Sequence, residues 1–149
     1  MYERMMKEAL RQAKTAYRSG EVPIGCVIAR GDEIVARTRN SKISDNDSTA
    51  HAEMKAIKKA QRVLGTKYLY DCTLFVTVEP CAMCAGAMIN ARVGKLVYGT
   101  KEPKTGCCGS LYDLISDERM NHRIPCEQGV MQEECEKIMK DFFAERRKK

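Results

Sequence analysis

The chain has 149 residues, of which 44% are hydrophobic and 31% are charged, the composition of an ordinary globular protein. Lysine and arginine number 26 against 20 acidic residues, and the net charge of +6 suits a polyanionic partner without requiring one. No apolar run approaches the roughly 20 residues that cross a bilayer, and the chain start lacks the apolar stretch of a signal peptide. We therefore expect a single domain over residues 1–149, no membrane association and a cytoplasmic location.

The eight cysteines are expected to be thiols or metal ligands, because disulfides are rare in the cytosol. Cys26, Cys72 and Cys135 lie in strand or helix patterns, so we expect them to be buried like small hydrophobic residues. The adjacent pair Cys107 and Cys108 could be redox-sensitive.

The N-terminal part of the chain predicts a helix followed by a hairpin. Apolar residues recur at helical spacing over residues 2–18, and Ser19-Gly20 predicts the end of that helix. Two apolar, β-branched runs at residues 23–29 and 33–39 flank a short turn that contains Gly31. This pattern is typical of a β-hairpin.

The middle of the chain predicts a helix, a strand, a helix and a strand. A polar loop over residues 40–48 leads into a helix over residues 49–64. A strand is expected at residues 73–78 and a helix at residues 80–91, opened by a proline in its first position. The next strand, at residues 95–98, should lie parallel to the previous one, because a helix connects the two.

A short strand at residues 123–126 and a helix at residues 130–146 complete the prediction. The inward face of this last helix is expected to carry Met131, Cys135, Ile138, Met139, Phe142 and Phe143. About five strands interleaved with helices indicate a layered α/β domain.

Two short segments carry the chemistry: His51-Ala52-Glu53 and Pro80-Cys81-Ala82-Met83-Cys84. Cys81 and Cys84 are three residues apart and so share one face of a helix, near the end where the helix dipole favours thiolates. With His51 they offer three ligands of the kind that zinc prefers.

Three protein ligands leave a fourth position for water, which is the mark of a catalytic rather than a structural zinc. His122, Cys107, Cys108 and Cys126 could supply a fourth ligand, but none has the spacing that would argue for it. Glu53 is the candidate for moving protons beside the metal. His51 and Glu53 can converge only if His51 lies at an irregular first turn, since positions two apart face opposite sides of a helix. His-x-Glu followed by Pro-Cys-x-x-Cys is known as the signature of zinc nucleobase deaminases.

Around these segments the chain resembles the bacterial tRNA-specific adenosine deaminases, over nearly its whole length. The resemblance is carried by residues 21–25, 49–53, 78–88, 104–106, 109–111, 120–123 and 141–143. The stretches after residue 84 separate this group from relatives that deaminate cytidine, deoxycytidylate or guanine. The fold that the resemblance implies is cytidine-deaminase-like, a three-layer α/β/α sandwich around a five-stranded mixed sheet, assembled as a homodimer.

The resemblance also implies roles for individual residues. His51, Cys81 and Cys84 would bind one Zn²⁺ per subunit, and Glu53 would be the catalytic proton shuttle. The residues implied to contact the substrate are Asn40, Val22, Pro23, Glu102, Lys104, Phe143 and Arg146, with the basic tail over residues 146–149 as a further phosphate contact. Asn40 could equally be an ordinary loop asparagine that caps a turn, and Pro23 the start of an edge strand.

The chain departs from the family pattern at three places. Asp47-Ser48 stands where the family has Asp-Pro, and Glu102 stands where some members have aspartate. Cys107 and Cys108 replace residues that are usually small and unreactive. These departures leave every catalytic group in place and affect only the details of contact with the anticodon loop.

The function implied is hydrolytic deamination of the wobble adenosine to inosine in the anticodon stem-loop of an arginine tRNA. Two alternatives share part of the pattern. A deaminase of a free nucleoside, nucleotide or base would use the same zinc site. A non-catalytic, zinc-stabilised nucleic-acid-binding module would need a fourth protein ligand and no Glu53.

Overall fold

The computed structural model describes residues 2–148, which form four helices and five strands. In chain order these are α1 (Tyr2–Arg18), β1 (Gly25–Arg30), β2 (Glu33–Arg39), α2 (Ala52–Leu64), β3 (Cys72–Val78), α3 (Ala82–Asn90), β4 (Lys95–Thr100), β5 (Cys126–Gln128) and α4 (Gln132–Arg147). The type and order of the elements are those that the sequence predicts.

The five strands form one mixed sheet in the order β2-β1-β3-β4-β5. Strand β1 is antiparallel to both β2 and β3, whereas β3, β4 and β5 are parallel to one another. The parallel β3–α3–β4 connection is confirmed. Cys26 pairs with Val76, so the beginning of β1 and the end of β3 lie at the same end of the sheet.

Helices cover both faces of the sheet and create the three layers. Successive strand residues point to opposite faces, so one strand supplies both cores. Val27, Phe75 and Val97 pack against α1 and against Cys135 of α4. The opposite face packs against α2 and α3 and includes Cys26, Ile28, Leu74, Val76, Leu96 and Tyr98. This arrangement confirms the predicted α/β/α sandwich.

Two glycines are required by the packing at the hairpin. Gly31 takes a left-handed φ of 61° in the tight β1–β2 turn, a conformation that glycine adopts at little cost. Gly25 begins β1 directly under α1, where an added Cβ would overlap the Ala9 carbonyl. The absence of a side chain at Gly25 therefore lets α1 lie close to the sheet.

Several predicted boundaries are wrong by a few residues. Strand β1 starts at Gly25, so Pro23 precedes it. Helices α2 and α3 start at Ala52 and Ala82, because His51 and Cys81 take extended backbone angles; Pro80 therefore lies before the helix rather than at its first position.

The last two elements also start later than predicted. The three residues of β5 are all exposed and leave almost no hydrophobic pattern to detect. Helix α4 starts at Gln132, since Met131 has a left-handed φ of 54°. The prediction that Phe143 faces inward is wrong: it is 42% exposed, while Phe142 is buried.

All eight cysteines are free thiols in the structure. Cys26, Cys72 and Cys135 are buried as predicted, with at most 1% of their surface exposed. None of the helices in residues 2–148 is both long enough and apolar enough to cross a membrane.

Candidate metal centre and active site

The three predicted ligands meet where two helices begin. His51 is the N-cap of α2 and Cys81 is the N-cap of α3, each with an extended backbone, and Cys84 lies in the first turn of α3. Both helix N-termini therefore direct partial positive charge toward the cluster, which favours thiolate sulfur. Because His51 precedes the regular part of α2, His51 and Glu53 can lie on the same side although they are two residues apart.

The geometry of the cluster fits a tetrahedral metal. His51 Nδ1 lies 3.6 Å from Cys81 Sγ and 3.5 Å from Cys84 Sγ. Zinc bonds of about 2.3 Å to sulfur and about 2.1 Å to nitrogen in a tetrahedron separate the two atoms by about 3.6 Å. Within residues 2–148 this is the only group of three or more such side chains that could hold a metal ion.

The two thiols share a proton unequally. A hydrogen bond from the Cys84 thiol lowers the pKa of Cys81 to about 3, and His51 lowers it further. The same hydrogen bond, together with burial, raises the pKa of Cys84 far above its ordinary value. The surroundings of Cys81 thus favour its thiolate, the form that binds metal.

Glu53 lies in the first turn of α2, two residues after His51, and only 3% of its surface is exposed. Its Oε1 has no hydrogen-bond partner within the described residues. Burial raises the pKa of this carboxyl to about 7, against the lowering effect of the His51 charge. A buried carboxyl with one unpartnered oxygen and a pKa near neutrality is suited to taking up and releasing a proton.

Asn40 fixes the start of the helix that carries His51 and Glu53. Its side chain is buried, and Oδ1 accepts a hydrogen bond of 2.8 Å from the amide of Ala52, while the Thr38 hydroxyl donates to the Ala52 carbonyl. Asn40 is therefore tied to the first amide of α2 rather than to a turn of its own loop. The contact uses Oδ1 and not Nδ2.

Four of the residues implied to contact substrate line one groove between α4 and the segment after β4. The groove has a volume of about 890 Å³, and Glu102, Lys104, Phe143 and Arg146 all line it. Glu102 Oε1 accepts a hydrogen bond from the Lys104 amide, and Lys104 is exposed. The Arg146 guanidinium donates to the Gly20 carbonyl, which ties the end of α4 to the end of α1.

Two buried carboxylates that sequence reasoning missed hold the loops around this edge of the sheet. Glu79 lies directly after β3, and its carboxylate accepts hydrogen bonds from the amides of Glu102, Cys108 and Ser110 and from the Ser110 hydroxyl. Only 3% of Glu79 is exposed. It therefore ties residues 102–110 to the strand that leads into the metal centre.

Glu21 plays the same part for the loop before α2. Its buried carboxylate accepts hydrogen bonds from the amides of Ile43 and Ser44. Burial raises the pKa of Glu21, but these amide donors outweigh burial and lower it below its ordinary value. Val22 and Pro23, which follow directly, are half-buried and buried respectively. In the sequence, the only indication that these two carboxylates are buried is that each glutamate stands beside apolar residues, Val22 after Glu21 and Val78 before Glu79.

The comparisons with known proteins decide the family. The family of MafB19-like deaminases matches residues 2–147. A tRNA-specific adenosine deaminase of Bacillus subtilis is 48% identical over 147 residues, which span 99% of this chain and 91% of the relative. The chain belongs to the tRNA-specific adenosine deaminase family.

Solved structures of other deaminases agree with this fold. A structure from a study of A-to-I editing by tRNA:A34 deaminases at the wobble position of transfer RNA superimposes with a TM-score of 0.87. It is 37% identical, and the match covers 91% of this chain and 98% of the other. A guanine deaminase of Bacillus subtilis is 33% identical, with a TM-score of 0.65 over 97% of this chain and 93% of its own.

The positions at which this deaminase departs from its family are accommodated locally. Asp47 Oδ1 accepts hydrogen bonds from both the amide and the hydroxyl of Thr49, so the turn closes with Ser48 in place of proline. Cys107 and Cys108 are buried, 3% and 6% exposed, within the core on the α2–α3 face. These two thiols therefore pack as small hydrophobic residues.

Proposed function

We propose that this protein deaminates the wobble adenosine of a tRNA anticodon to inosine, with an arginine tRNA as its substrate, using one zinc ion per subunit. The observation that carries the proposal is the meeting of His51, Cys81 and Cys84 beside the buried Glu53 carboxyl, whose Oε1 has no hydrogen-bond partner within the described residues. Relatives at 41–48% identity are named tRNA-specific adenosine deaminases, which supports an adenosine of a tRNA as the target. We assign the whole activity to one domain over residues 1–149.

His51, Cys81 and Cys84 would hold the zinc through one nitrogen and two sulfur atoms, a donor set and spacing that suit this ion. Zinc bound in this way would supply a water of lowered pKa as the nucleophile. The chain offers no further ligand in the same cluster within residues 2–148, which argues against a purely structural, non-catalytic zinc module.

Glu53 would move the protons of the hydrolysis. Water adds to C6 of adenine, the C6–N bond to the exocyclic amine breaks, and ammonia leaves. The Glu53 carboxylate would accept one proton from the water and transfer it to ring N1, then accept the remaining proton from the new C6 hydroxyl and deliver it to the departing amine. The raised pKa of Glu53, near 7 because of burial, lets it both accept and donate at neutral pH.

The target base would lie at the edge formed by Asn40, Val22 and Pro23. Asn40 Nδ2 would donate to the nucleoside, since its Oδ1 is engaged by Ala52. Beyond the base, Lys104 and Arg146 would contact phosphates, and Phe143 would stack on a neighbouring base; Glu102 lines the same groove. The bases of an anticodon loop are already unstacked, so little free energy is needed to place one of them in such a pocket. Lys149, in the basic tail, lies outside the described residues.

A homodimer in the cytoplasm is the proposed working form. Large apolar side chains remain exposed, among them Val63, Tyr70, Leu111 and Tyr112 at 52–65%. Such residues are candidates for burial in a subunit interface. Eight free thiols and a tRNA substrate both fit the reducing cytoplasm.

A deaminase of a free base or nucleoside is the second candidate, favoured by the 33% identity to a guanine deaminase. The deciding experiment measures inosine in an arginine tRNA anticodon stem-loop bearing a wobble adenosine, with free adenosine, cytidine and guanine in parallel. We expect conversion of the stem-loop alone. Conversion of a free base or nucleoside, with the stem-loop untouched, would keep the chemistry and overturn the substrate.

Two variants test the roles within the site. Glu53→Ala should retain zinc and lose turnover by about 10³-fold, because proton transfer contributes rate enhancements of that order. Zinc content is measured on the same sample, so loss of chemistry is separated from loss of metal. His51→Ala should lose zinc; an intact zinc content would remove His51 from the ligand set.

A further inference from the structure

Helix α1 carries a stripe of exposed basic residues that the active site does not use. Lys7, Arg11, Lys14 and Arg18 follow one another at intervals of four, three and four residues, so all four lie on one face of the helix. All four are exposed, whereas the opposite face of α1 is buried against the sheet. These four residues are called the α1 stripe below.

The α1 stripe forms one wall of a groove between α1 and α4. The groove has a volume of about 670 Å³ and an apolar floor that includes Leu10 and Ile138. Lys137 of α4 adds a fifth cation, against the two carboxylates of Glu134 and Asp141. The groove therefore has an excess of positive charge.

Part of this positive charge is available to a ligand. Arg11 pairs with Glu8 at 2.8 Å and Lys137 pairs with Asp141 at 2.7 Å. Lys7 and Lys14 form no ion pair within residues 2–148. Unpaired surface lysines on a rigid helix favour a polyanion whose charges repeat along a line.

The α1 stripe leads away from the proposed RNA groove. At the start of α1 the Tyr2 hydroxyl accepts a hydrogen bond from Lys95, the first residue of β4, at the end of the sheet opposite the candidate metal centre. At the other end, just past α1, the Gly20 carbonyl accepts one from Arg146. With a rise of about 1.5 Å per residue, the stripe runs for about 16 Å from the active-site edge. It is thus continuous with the groove that Lys104, Phe143 and Arg146 line.

We propose that the α1 stripe binds the phosphate backbone of the same tRNA beyond its anticodon loop, along one strand of the anticodon stem. The inference rests on the proposed function, since the loop must occupy the active site for the stem to reach α1. Phosphate contacts of this kind are independent of base sequence and release bound counterions. They would let the enzyme prefer tRNA over a short oligonucleotide that carries the same loop.

The test compares Lys7→Gln/Lys14→Gln with Lys58→Gln/Lys59→Gln, a control that removes the same charge from exposed lysines of α2 on the opposite face. Both pairs are placed in the Glu53→Ala background, and binding is measured by salt titration with full-length arginine tRNA and with a hairpin whose stem is cut to two base pairs. For tRNA, the α1 variant should bind about fivefold more weakly, and the slope of log affinity against log salt should fall by about 1.5. The short hairpin and the control pair should change less than about twofold.

Equal weakening for both RNAs, or no more weakening than in the control pair, would overturn the proposal. Sedimentation is run on the same variants, and a change of subunit assembly in the α1 variant would also overturn it, since the groove would then hold a second copy. The proposed function fails separately, if the unmutated protein converts neither RNA to inosine.

Discussion

Replacing Glu79 tests whether one buried carboxylate holds residues 102–110 beside the metal centre. The carboxylate accepts three amide hydrogen bonds of 3.0–3.1 Å and a fourth of 2.5 Å from the Ser110 hydroxyl. Gly106 packs so closely on this carboxylate that an added Cβ would overlap it. No other acceptor is therefore expected to take over these donors without movement of the loop.

The size of the effect follows from the number of donors left without a partner. Hydrogen bonds to charged groups contribute about 1.5–3 kcal/mol each, and a buried donor left unpaired costs about 1–3 kcal/mol. Glu79→Gln keeps one carbonyl oxygen and turns the other toward amide donors as a competing NH₂ group. We expect its free energy of unfolding to fall by about 3–5 kcal/mol. Ser110→Ala removes a single donor to a charged group and should cost about 1.5 kcal/mol.

The measurement is equilibrium unfolding in urea, with deamination kinetics on the anticodon stem-loop. Residues 102–110 include Glu102 and Lys104, which are proposed to contact the RNA and not to take part in the chemistry. We therefore expect Glu79→Gln to raise KM for the RNA by a larger factor than it lowers kcat. Ser116→Ala is the matched control, since Ser116 also donates to a carboxylate, Asp113, at 2.5 Å, but is exposed. It should change stability by no more than about 0.5 kcal/mol.

Unchanged stability in Glu79→Gln would refute the reasoning, because it would mean that the four donors find other partners. Equal losses in Ser110→Ala and Ser116→Ala would refute it as well. The contribution would then come from a generic serine–carboxylate contact rather than from the buried position of Glu79.

Three further predictions concern the frame around the site. The pKa of Glu21 is lowered in the folded protein, so the contribution of its carboxylate to stability is complete at neutral pH and is lost as the pH falls through that pKa. The difference in free energy of unfolding between the protein and Glu21→Gln should therefore shrink below about pH 4.5. Urea unfolding at a series of pH values measures this difference. A constant difference across that range would contradict this. Gly25→Ala should lower the free energy of unfolding by about 2–3 kcal/mol, because its Cβ would overlap the Ala9 carbonyl under α1; an unchanged midpoint would mean that α1 can move away. Phe142→Ala should lower the free energy of unfolding by about 3 kcal/mol, since Phe142 is buried against Tyr17. Phe143→Ala should lower it by less than about 1 kcal/mol but weaken RNA binding, because Phe143 is exposed. A larger loss of stability for Phe143→Ala would contradict the assignment of these two residues to the buried and exposed faces of α4.

Much of the architecture could be predicted because its cause is local. The continuous apolar runs of β1 and β3 predict strands buried on both faces, and the helical spacing in α1 predicts the one face that it buries; neither pattern depends on distant residues. The cluster of side chains that could hold a metal ion was also predictable. Histidine and paired cysteines near helix starts have few other uses in a reduced protein.

Element ends were less predictable, because backbone angles at single residues decide them. His51 and Cys81 are extended and Met131 is left-handed, so α2, α3 and α4 each begin later than the residue patterns indicate. Phe142 and Phe143 are both apolar neighbours, yet only one can follow the buried row of α4. Helical spacing from Cys135 admits both, Phe142 at the seventh position and Phe143 at the eighth, so only the packing of α4 shows that Phe143 is exposed.

By itself, the sequence determined the order of the elements, the two hydrophobic faces of the sheet and the identity of the side chains that could bind a metal, since each follows from periodicity or from ligand chemistry. Only the tertiary structure decided that Glu21 and Glu79 are buried and hold loops far along the chain, that Asn40 caps α2, and that Arg146 meets Gly20. A carboxylate can be buried only where amide or hydroxyl donors replace its water. For Glu21 and Glu79 those donors come from residues about 20 to 30 positions away, and only the folded chain brings them together.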